Sequence, residues 1–206
     1  MRPVLTPTRT ADDQFEIAVE TPAMAQALAR TLRSNGLTED VVAGLSSVCI
    51  RFHPRHAAEI EACLGQDLQI SPEPVERGEP LSIAIRYGGD DGPDLEQVCT
   101  ALSLSVDAFI AMHTGREHMV EMIGFTPGFS YISGLPHGMK IPRLNQPRPR
   151  VAAGSVGISA DFTGLYALAG PGGWPLIGRT EASLFDASSD DPFRLKPGQR
   201  VQFRAI

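Results

Sequence analysis

The sequence has 206 residues, of which 42% are hydrophobic and 20% charged, a balance that is typical of a folded globular protein and argues against a disordered chain. Its formal net charge of -6 disfavours a nucleic acid or an anionic membrane as a partner. No apolar run is long enough to cross a membrane, and the N-terminal residues lack the apolar core of a signal peptide, so we expect a cytoplasmic protein.

The first part of the chain alternates strand and helix patterns. Apolar and polar residues alternate over 15–19, as in a strand, and Thr21 with Pro22 supplies an N-cap and a proline at the first helical position. The stretch SSVCIRF (46–52) predicts a second strand, and a second helix is expected within 53–65. The order strand, helix, strand, helix predicts a small two-layer α/β sandwich.

A domain boundary is expected in the Pro/Glu-rich stretch SPEPVERGEP (71–80), whose composition suits an extended linker. Glycine usage also changes here, because three glycines precede Gly78 and the other seventeen lie from Gly78 onward. We therefore assign 1–76 to an N-terminal α+β domain and 77–206 to a second domain.

The second domain is predicted to be mostly β-structure, in a barrel or a sandwich. A helical insert is expected from Asp94 to about His113, with Ser105 as a cap inside it. The short apolar runs that predict strands are LSIAIRY (81–87), HMVEMI (118–123), VAAGSVGIS (151–159), LYALAG (165–170), WPLIGRT (174–180) and RVQFRAI (200–206).

The stretch GFTPGFSYISGLP (124–136) combines glycines and prolines with three aromatic residues. Glycine permits left-handed backbone and proline fixes φ, so the stretch predicts a shaped loop that holds Phe125, Phe129 and Tyr131 in set places. A hairpin corner that fills its own core is the alternative.

Two motifs suggest a nucleotide or a metal, and their chemistry argues against both. GWPLIGRT (173–180) lies one residue from a Walker A pattern, but Pro175 removes an N–H, Arg179 replaces the lysine and no helical pattern follows. His53 in HPRH is better explained as a helix cap, and the cysteines offer neither a zinc spacing nor a disulfide framework. We expect neither a P-loop nor a metal site.

Cationic residues are the remaining candidates. Arg143, Arg148 and Arg150 alternate with prolines in IPRLNQPRPR, and guanidinium groups on a stiff loop suit recognition of a carboxylate or a phosphate. A solvated loop is the alternative. His113, at the end of a helical run, is either a general base or a cation at a helix C-terminus. Ser155 is expected to bond a turn backbone.

Several long motifs follow one another from about residue 81 to the end of the chain. They are YGGDDGPDLEQV (87–98), LSLSVDAFIAMH (102–113), GFTPGFSYISGLP (124–136), IPRLNQPRPRVAAGSVGIS (141–159), TGLYALAGPGGWPLIGRT (163–180) and LFD (184–186). In this order and spacing they resemble the KipI/PxpB family, which is also called allophanate hydrolase subunit 1. SSVCIRFHP (46–54) resembles the family's weaker N-terminal pattern.

The resemblance implies an α+β fold, with a small N-terminal α/β sandwich followed by a C-terminal cyclophilin-like β-barrel. It implies a paralogous KipA/PxpC-like partner and a third subunit, which together form an ATP-dependent 5-oxoprolinase that opens 5-oxo-L-proline to L-glutamate. We expect this chain to be inactive alone, and we do not assign the ATP site to it. The alternatives are a KipI-like inhibitor of a histidine kinase and a urea carboxylase or allophanate hydrolase-type subunit.

The resemblance also implies a groove on the barrel, near the partner subunit. In it, His113 is expected to move a proton, and Arg143 or Arg150 to hold the substrate carboxylate or a phosphorylated intermediate. The candidate substrate-binding residues are Arg143, Arg150, Ser155, Thr163, Tyr166, Arg179, Phe125, Pro127, Gly128, Phe129 and Trp174. Some of Phe129, Tyr131 and Trp174 are expected to stay partly exposed in the isolated chain, and Trp174 anchors the partner if it is a hot spot. Where the family often reads Q-T-G-I-Y-P, this chain reads FTGLYA (162–167), a departure that bears on substrate choice.

Overall fold

A computed structural model describes residues 5–65, 70, 79–136, 139 and 141–206. The chain divides into two compact units, Met1–Pro74 and Val75–Ile206. Most of the predicted linker, residues 71–78, lies outside the described residues. The domain bounds drawn at 76 and 77 therefore stay a prediction.

Within its described residues, the first unit holds a four-stranded antiparallel sheet and two α-helices. Its elements are β1 (Pro7–Ala11), β2 (Gln14–Ala18), α1 (Pro22–Arg33), β3 (Asp40–Ala43), β4 (Ser47–Arg51), a 3-10 turn (Pro54–His56) and α2 (Ala57–Leu64). The strand order is β1-β2-β4-β3, and residues from the sheet and from both helices share one core.

Local capping fixes where the helices of this unit begin. The Thr21 side chain accepts a hydrogen bond from the amide of Met24 at 3.2 Å, so the predicted N-cap of α1 is confirmed. The His53 side chain accepts from the amide of Arg55 at 3.3 Å and caps the 3-10 turn before α2. The explanation of His53 as a cap is also confirmed.

The sequence pattern reveals only two of the strands that the structure describes in this unit. Four of the five residues of β1 are exposed, so no apolar alternation marks it. In β3 the exposed Val42 stands between the buried Val41 and Ala43, and its apolar side chain hides the alternation. The predicted two strands are therefore an undercount, and the α/β sandwich itself is confirmed.

The second unit consists mainly of short strands, with two helices between the first two of them. Its described strands are β5 (Leu81–Tyr87), β6 (Glu117–Ile123), β7 (Ser130–Ser133), β8 (Arg148–Val151), β9 (Ser155–Ser159), β10 (Phe162–Leu165), β11 (Gly170–Gly172), β12 (Leu176–Arg179) and β13 (Arg200–Ala205). Its described helices are α3 (Leu95–Leu102) and α4 (Val106–Thr114), and the Ser105 side chain caps α4 by accepting from the amide of Ala108.

Seven of the described strands close a barrel in the order β10-β7-β6-β13-β5-β12-β9. Among these pairs, β13 with β5 is parallel and the others are antiparallel. Strands β8 and β11 form a separate two-stranded sheet. The predicted fold class, an α+β chain with a small α/β sandwich followed by a β-barrel, is confirmed.

Two predicted strands of this unit have different bounds in the structure. The run VAAGSVGIS is divided between β8 and β9, because Gly154 adopts a left-handed φ of 82° and turns the chain. The run LYALAG contributes only Leu165 to β10, and most of the remainder connects to β11. The aromatic loop is also shorter than predicted, since Tyr131 lies in β7.

The alternation of side chains gives strands β7, β9 and β10 two different faces. On one face, Val156, Ile158 and Leu165 join the apolar interior that also receives residues of α3 and α4, which we call the main core. On the other face lies a smaller group, the aromatic cluster, made of Phe129, Val151, Tyr166, Trp174 and Leu176, with Tyr131 and Phe162 packed against it. In the described part of the chain no single helix is long and apolar enough to cross a membrane, although α3 and α4, bent by 90° at their junction, reach that length and composition as a pair.

Candidate functional site

The aromatic cluster is built from rings that meet edge to face. The centroid of the Phe129 ring lies 4.9 Å from Tyr131, 4.9 Å from Tyr166 and 5.7 Å from Trp174. Each pair is close to perpendicular, the arrangement that aromatic quadrupoles favour. The geometry therefore fixes the positions of both tyrosine hydroxyls relative to a rigid apolar base.

Two glycines on neighbouring strands make room for these rings. Gly157 of β9 pairs with Gly164 of β10. A Cβ at Gly164 would lie 2.7 Å from the Trp174 ring and 2.8 Å from the Phe129 ring. Because real Cβ atoms do not approach other atoms so closely, glycine is required here by the close approach of the rings.

Trp174 is consequently part of this small core and not an exposed anchor. Only 7% of its surface is exposed, and Phe129 is also buried. Phe129 and Trp174 are therefore not among the aromatic residues that stay partly exposed in the isolated chain, because the rings fill the space above Gly164. Tyr131 is the half-buried member, as expected.

The Arg/Pro segment runs alongside the aromatic cluster. The amide of Leu144 donates to the carbonyl of Gly173 at 2.7 Å, and Arg148 is in register with Gly172. Arg148 Nη2 donates to Asp94 Oδ1 at 2.7 Å. The segment is thus attached on both sides of Pro147, which argues against the alternative of a solvated loop for this part of it.

Electrostatic effects on the two tyrosines show which arginines lie near them. Burial raises the pKa of Tyr131, and the positive charge of Arg143 opposes this shift. Burial also raises the pKa of Tyr166, while a hydrogen bond with the backbone of Trp174 and the charges of Arg143 and Arg148 oppose it. Both tyrosines are therefore neutral hydroxyl groups at neutral pH, with guanidinium groups beside them.

His113 lies on the other face of the barrel wall, in the main core, and is fully buried. Its Nδ1 is 2.6 Å from the Tyr87 hydroxyl and its Nε2 is 2.9 Å from the Thr163 hydroxyl. Its ring is stacked between Phe109 and Phe203. A neutral imidazole has one donor and one acceptor, and the two hydroxyls satisfy both.

Burial lowers the pKa of His113 to about 3, with smaller contributions from His118 and Arg116. His118 is also buried, and its two ring nitrogens lie 2.8 Å from the carbonyl of His113 and 3.1 Å from that of Ser133. These carbonyls favour a protonated ring, but burial is the larger effect and lowers the pKa of His118. The placement of His113 does not fit proton transfer to a substrate, so we do not carry that assignment further.

The other predicted residues fall into three groups. Ser155 and Thr163 are buried in the wall, and the Thr163 hydroxyl is taken up by His113, so direct substrate binding does not fit either of them. Tyr166 belongs to the aromatic cluster, and Arg143 is exposed, with its charge acting on Tyr131 and Tyr166. The residues exposed elsewhere or only half-buried are Phe125, Pro127, Arg150 and Arg179.

The loop before β7 holds one unusual residue. Phe125 is 63% exposed and adopts a left-handed φ of 70°, a conformation that costs a non-glycine residue free energy. Its ring stands 5.5 Å from that of Phe129. Gly128 is buried at the base of the same loop, where a Cβ would lie 2.8 Å from the Cβ atoms of Ala167 and Phe185. The prediction of a shaped loop is confirmed for residues 124–129.

The nucleotide and metal motifs are placed as follows. GWPLIGRT runs into β12 of the barrel, and no helix follows it within the described residues, so it lacks the strand–loop–helix geometry of a P-loop. No group of three or more His, Cys, Asp or Glu residues in the described ranges is arranged to hold a metal ion.

Asp94 was predicted only as the start of a helix, and its role in the site was missed. Its side chain does not cap α3. Instead Oδ2 accepts from the amide of Leu176 at 2.6 Å while Oδ1 accepts from Arg148. Asp94 and Arg148 are 54 residues apart in the sequence, and no local pattern signals such a pair.

Comparisons with known proteins agree with the motifs. Residues 9–195 match the sequence pattern described as carboxyltransferase domain, subdomain C and D. The chain is 39% identical over 168 residues to the 5-oxoprolinase B subunit of Escherichia coli O157:H7, covering 80% of this chain and 76% of that protein. It is 37% identical over 183 residues to the 5-oxoprolinase B subunit of Haemophilus influenzae, covering 86% and 84%.

Solved structures show the same fold. The protein TTHA0988 superimposes on 94% of this chain with a TM-score of 0.77 and 32% identity, although the chain spans only 40% of that protein. The urea carboxylase of Kluyveromyces lactis superimposes on 98% of this chain with a TM-score of 0.78, and the chain spans 22% of it. At 17% identity, this second likeness shows the fold alone.

Proposed function

The chain belongs to the family of the carboxyltransferase domain, subdomain C and D, and from this membership we propose that it is a subunit of an ATP-dependent 5-oxoprolinase. The observation that carries the proposal is the 39% identity to a 5-oxoprolinase B subunit, of which the chain covers 76%. The urea carboxylase likeness carries no argument about activity, because it shows the fold alone.

The proposed reaction opens a stable cyclic amide. Water adds to the amide carbon of 5-oxo-L-proline, the ring C–N bond breaks, and L-glutamate is released with a free amine and a second carboxylate. Hydrolysis of ATP to ADP and phosphate supplies the free energy, and we do not assign the ATP site to this chain. A carboxylate is already present on the substrate, so the complex needs a cation to hold it.

We assign the carboxylate to Arg143 and not to Arg150. Arg143 is exposed on the segment that bonds Gly173 through Leu144, and its charge acts on both Tyr131 and Tyr166, which supports a position near the aromatic cluster. Half-buried Tyr131 and Phe162 offer apolar surface for the methylene groups of the ring at the same place. A guanidinium beside apolar surface matches a small ring that carries one carboxylate.

The chain is proposed to act with a KipA/PxpC-like paralogue and a third subunit, and to be inactive alone. Its relatives from Escherichia coli and Haemophilus influenzae are themselves subunits of a 5-oxoprolinase, which supports this assembly. His113, the residue predicted to move a proton, is buried with both ring nitrogens occupied. We therefore place proton transfer on groups that the partner subunits contribute.

The direct test is glutamate release. The chain is purified together with the two proposed partner subunits, and glutamate and ADP are measured with 5-oxo-L-proline and ATP. We expect release by the complete complex and none by the chain alone. A complete complex that consumes no 5-oxo-L-proline would show that the proposal is wrong.

Variants locate the carboxylate in the same assay. Arg143→Lys is expected to raise KM about tenfold, because the planar two-donor contact becomes a single one. Arg194→Lys, at an exposed arginine outside the Arg/Pro segment, is the matched control and should leave KM unchanged. Equal KM values for both variants would show that Arg143 does not bind the substrate carboxylate.

A binding function is the second candidate, and the exposed ring of Phe125 favours it. In this hypothesis the chain restrains a histidine kinase without any partner subunit. Autophosphorylation of a kinase encoded near this chain, measured with wild type and Phe125→Ala, tests it. Inhibition that needs Phe125 would support this function over the enzymatic one.

A further inference from the structure

The guanidinium group of Arg148 is only partly satisfied. Its Nη2 is bonded to Asp94, whereas Nη1 is buried and has no hydrogen-bond partner in the part of the chain that the structure describes. A buried donor without a partner costs free energy, and in native proteins such donors usually meet a water, an ion or a ligand. The side chain as a whole keeps 29% of its surface exposed although Nη1 itself is buried, so a small molecule reaches the guanidinium at its exposed part and bonds Nη1 only if the covering side chains move.

Asp94 determines which part of Arg148 stays available. Asp94 is 8% exposed, and it bonds Arg148 with one carboxylate oxygen and the backbone of Leu176 with the other. Its side chain is therefore anchored to strand β12 and holds Nη2 in place. Nη1 remains as the free donor of a fixed, charged and planar group.

A second cation lies on the same segment. The bond from the Leu144 amide to Gly173 holds the backbone next to Arg143, and pairing with Gly172 holds Arg148. The charges of both arginines reach the Tyr166 hydroxyl. The Arg148–Asp94 pair is neutral as a unit, so Arg143 supplies a further positive charge on this segment.

We propose that Arg143 and Arg148 form a binding site for a small oxyanion, and that Asp94 is its positioning residue. The inference rests on the proposed function, in which the oxyanion is the carboxylate of the substrate. Inorganic phosphate, the product of ATP hydrolysis, offers the same chemistry to the same donors. The site deepens the assignment of Arg143 by adding a second, preoriented guanidinium.

Calorimetric titration of the full chain, alone and with its partner subunits, tests the site. The ligands are 5-oxo-L-proline, inorganic phosphate and 2-pyrrolidinone, which has the same ring without a carboxylate. Wild type is compared with Arg148→Lys, Asp94→Asn and the control Arg194→Lys. We expect Arg148→Lys and Asp94→Asn to weaken oxyanion binding about tenfold, and 2-pyrrolidinone to bind none of the proteins measurably.

The two oxyanions identify the occupant. Binding of 5-oxo-L-proline that depends on Arg148 supports a carboxylate site, and binding of phosphate that depends on Arg148 supports a phosphate site. If neither oxyanion binds the chain or the complex, or if binding is equal in all four proteins, Nη1 meets only water and the inference is overturned. If Arg148→Lys lowers the unfolding temperature strongly, the oxyanion titrations of Asp94→Asn and Arg143→Lys decide whether the site exists.

Kinetics of the complex separate this inference from the proposed function. Because Asp94 acts through Arg148, Asp94→Asn should raise KM about tenfold and leave kcat nearly unchanged. A complex that releases glutamate with the same KM in wild type, Asp94→Asn and Arg148→Lys, and that binds neither oxyanion in an Arg148-dependent way, supports the function and overturns the site. Oxyanion binding that depends on Arg148, in a complex that releases no glutamate, supports the site and overturns the function.

Discussion

Strand β10 separates two polar assemblies that satisfy their hydrogen bonds differently. On the side of the main core, both nitrogens of His113 meet hydroxyl groups, one of them from Thr163. On the side of the aromatic cluster, Arg148 has one amino group bonded to Asp94 and the other unpartnered among the described residues. A buried histidine is the usual candidate for catalysis, yet here its bonds are complete. The incomplete assembly is the better candidate for a ligand.

The largest expected effect on the free energy of unfolding comes from a change in the aromatic cluster. Trp174→Ala should lower the free energy of unfolding by about 4 kcal/mol, because it removes a buried ring that packs on Phe129 and Gly164. Urea unfolding measures the loss, and Phe125→Ala, at an exposed ring, should cost less than about 1 kcal/mol. Similar losses for the two variants would mean that Trp174 is not part of a core.

The hydrogen bonds of His113 are tested by replacing His113 first and then His113 together with Thr163. His113→Leu should cost about 3 kcal/mol, because it leaves the Tyr87 and Thr163 hydroxyls buried without a partner. Adding Thr163→Val should recover part of this loss, since one of the orphaned hydroxyls is gone. A double-mutant cycle in urea gives the coupling, and purely additive losses would contradict a shared network. Activity per folded molecule of the complex should stay unchanged in His113→Leu.

The glycine pair under the rings gives a smaller effect. Gly164→Ala should destabilise the fold by about 2 kcal/mol, because its Cβ meets the Trp174 and Phe129 rings at under 3 Å. Gly170→Ala is the control, since nothing lies within 4 Å of a Cβ at that glycine. If thermal unfolding finds the two variants equally stable, the rings have room to move and the cluster is looser than described.

The smallest effect is a dependence on pH. Burial lowers the pKa of His113 from 6.5 to about 3. Between these pH values His113 is protonated in the unfolded chain and neutral in the folded chain. The contribution of His113 to stability is therefore complete above pH 6.5 and falls as the pH drops, by about 1.4 kcal/mol per pH unit in the middle of the window. Urea unfolding at about pH 7 and about pH 5 should show a steeper loss in wild type than in His113→Gln. Parallel losses would mean that another group titrates.

The sequence predicts the elements better than it predicts the site. Alternation and capping are local, so the β5, β6 and β13 strands and the caps Thr21 and Ser105 follow from nearby residues. Strand β1 is missed because its side chains are exposed and carry no apolar period.

Site geometry depends on contacts that appear only after the barrel closes. The bond between Asp94 and Arg148 joins residues 54 positions apart, and no pattern within either neighbourhood encodes it. Burial of His113 likewise arises from β13 and β10, which lie far along the chain and supply Phe203 and Thr163. The sequence gives the chemical type of each side chain, but it does not show which distant residues that side chain contacts.

The parallel pairing of β13 with β5 has a consequence for folding during synthesis. Val201 pairs with Leu81 and Ala205 with Ile85, so the first and last described strands of the barrel are neighbours. Contacts between distant residues form slowly, because the long chain between them must be ordered first. On the ribosome the barrel therefore stays open until its final strand emerges, and Phe203 then completes the stack on His113. Until that moment, the edges of β5 and β6 that β13 will cover are unpaired and available to other chains.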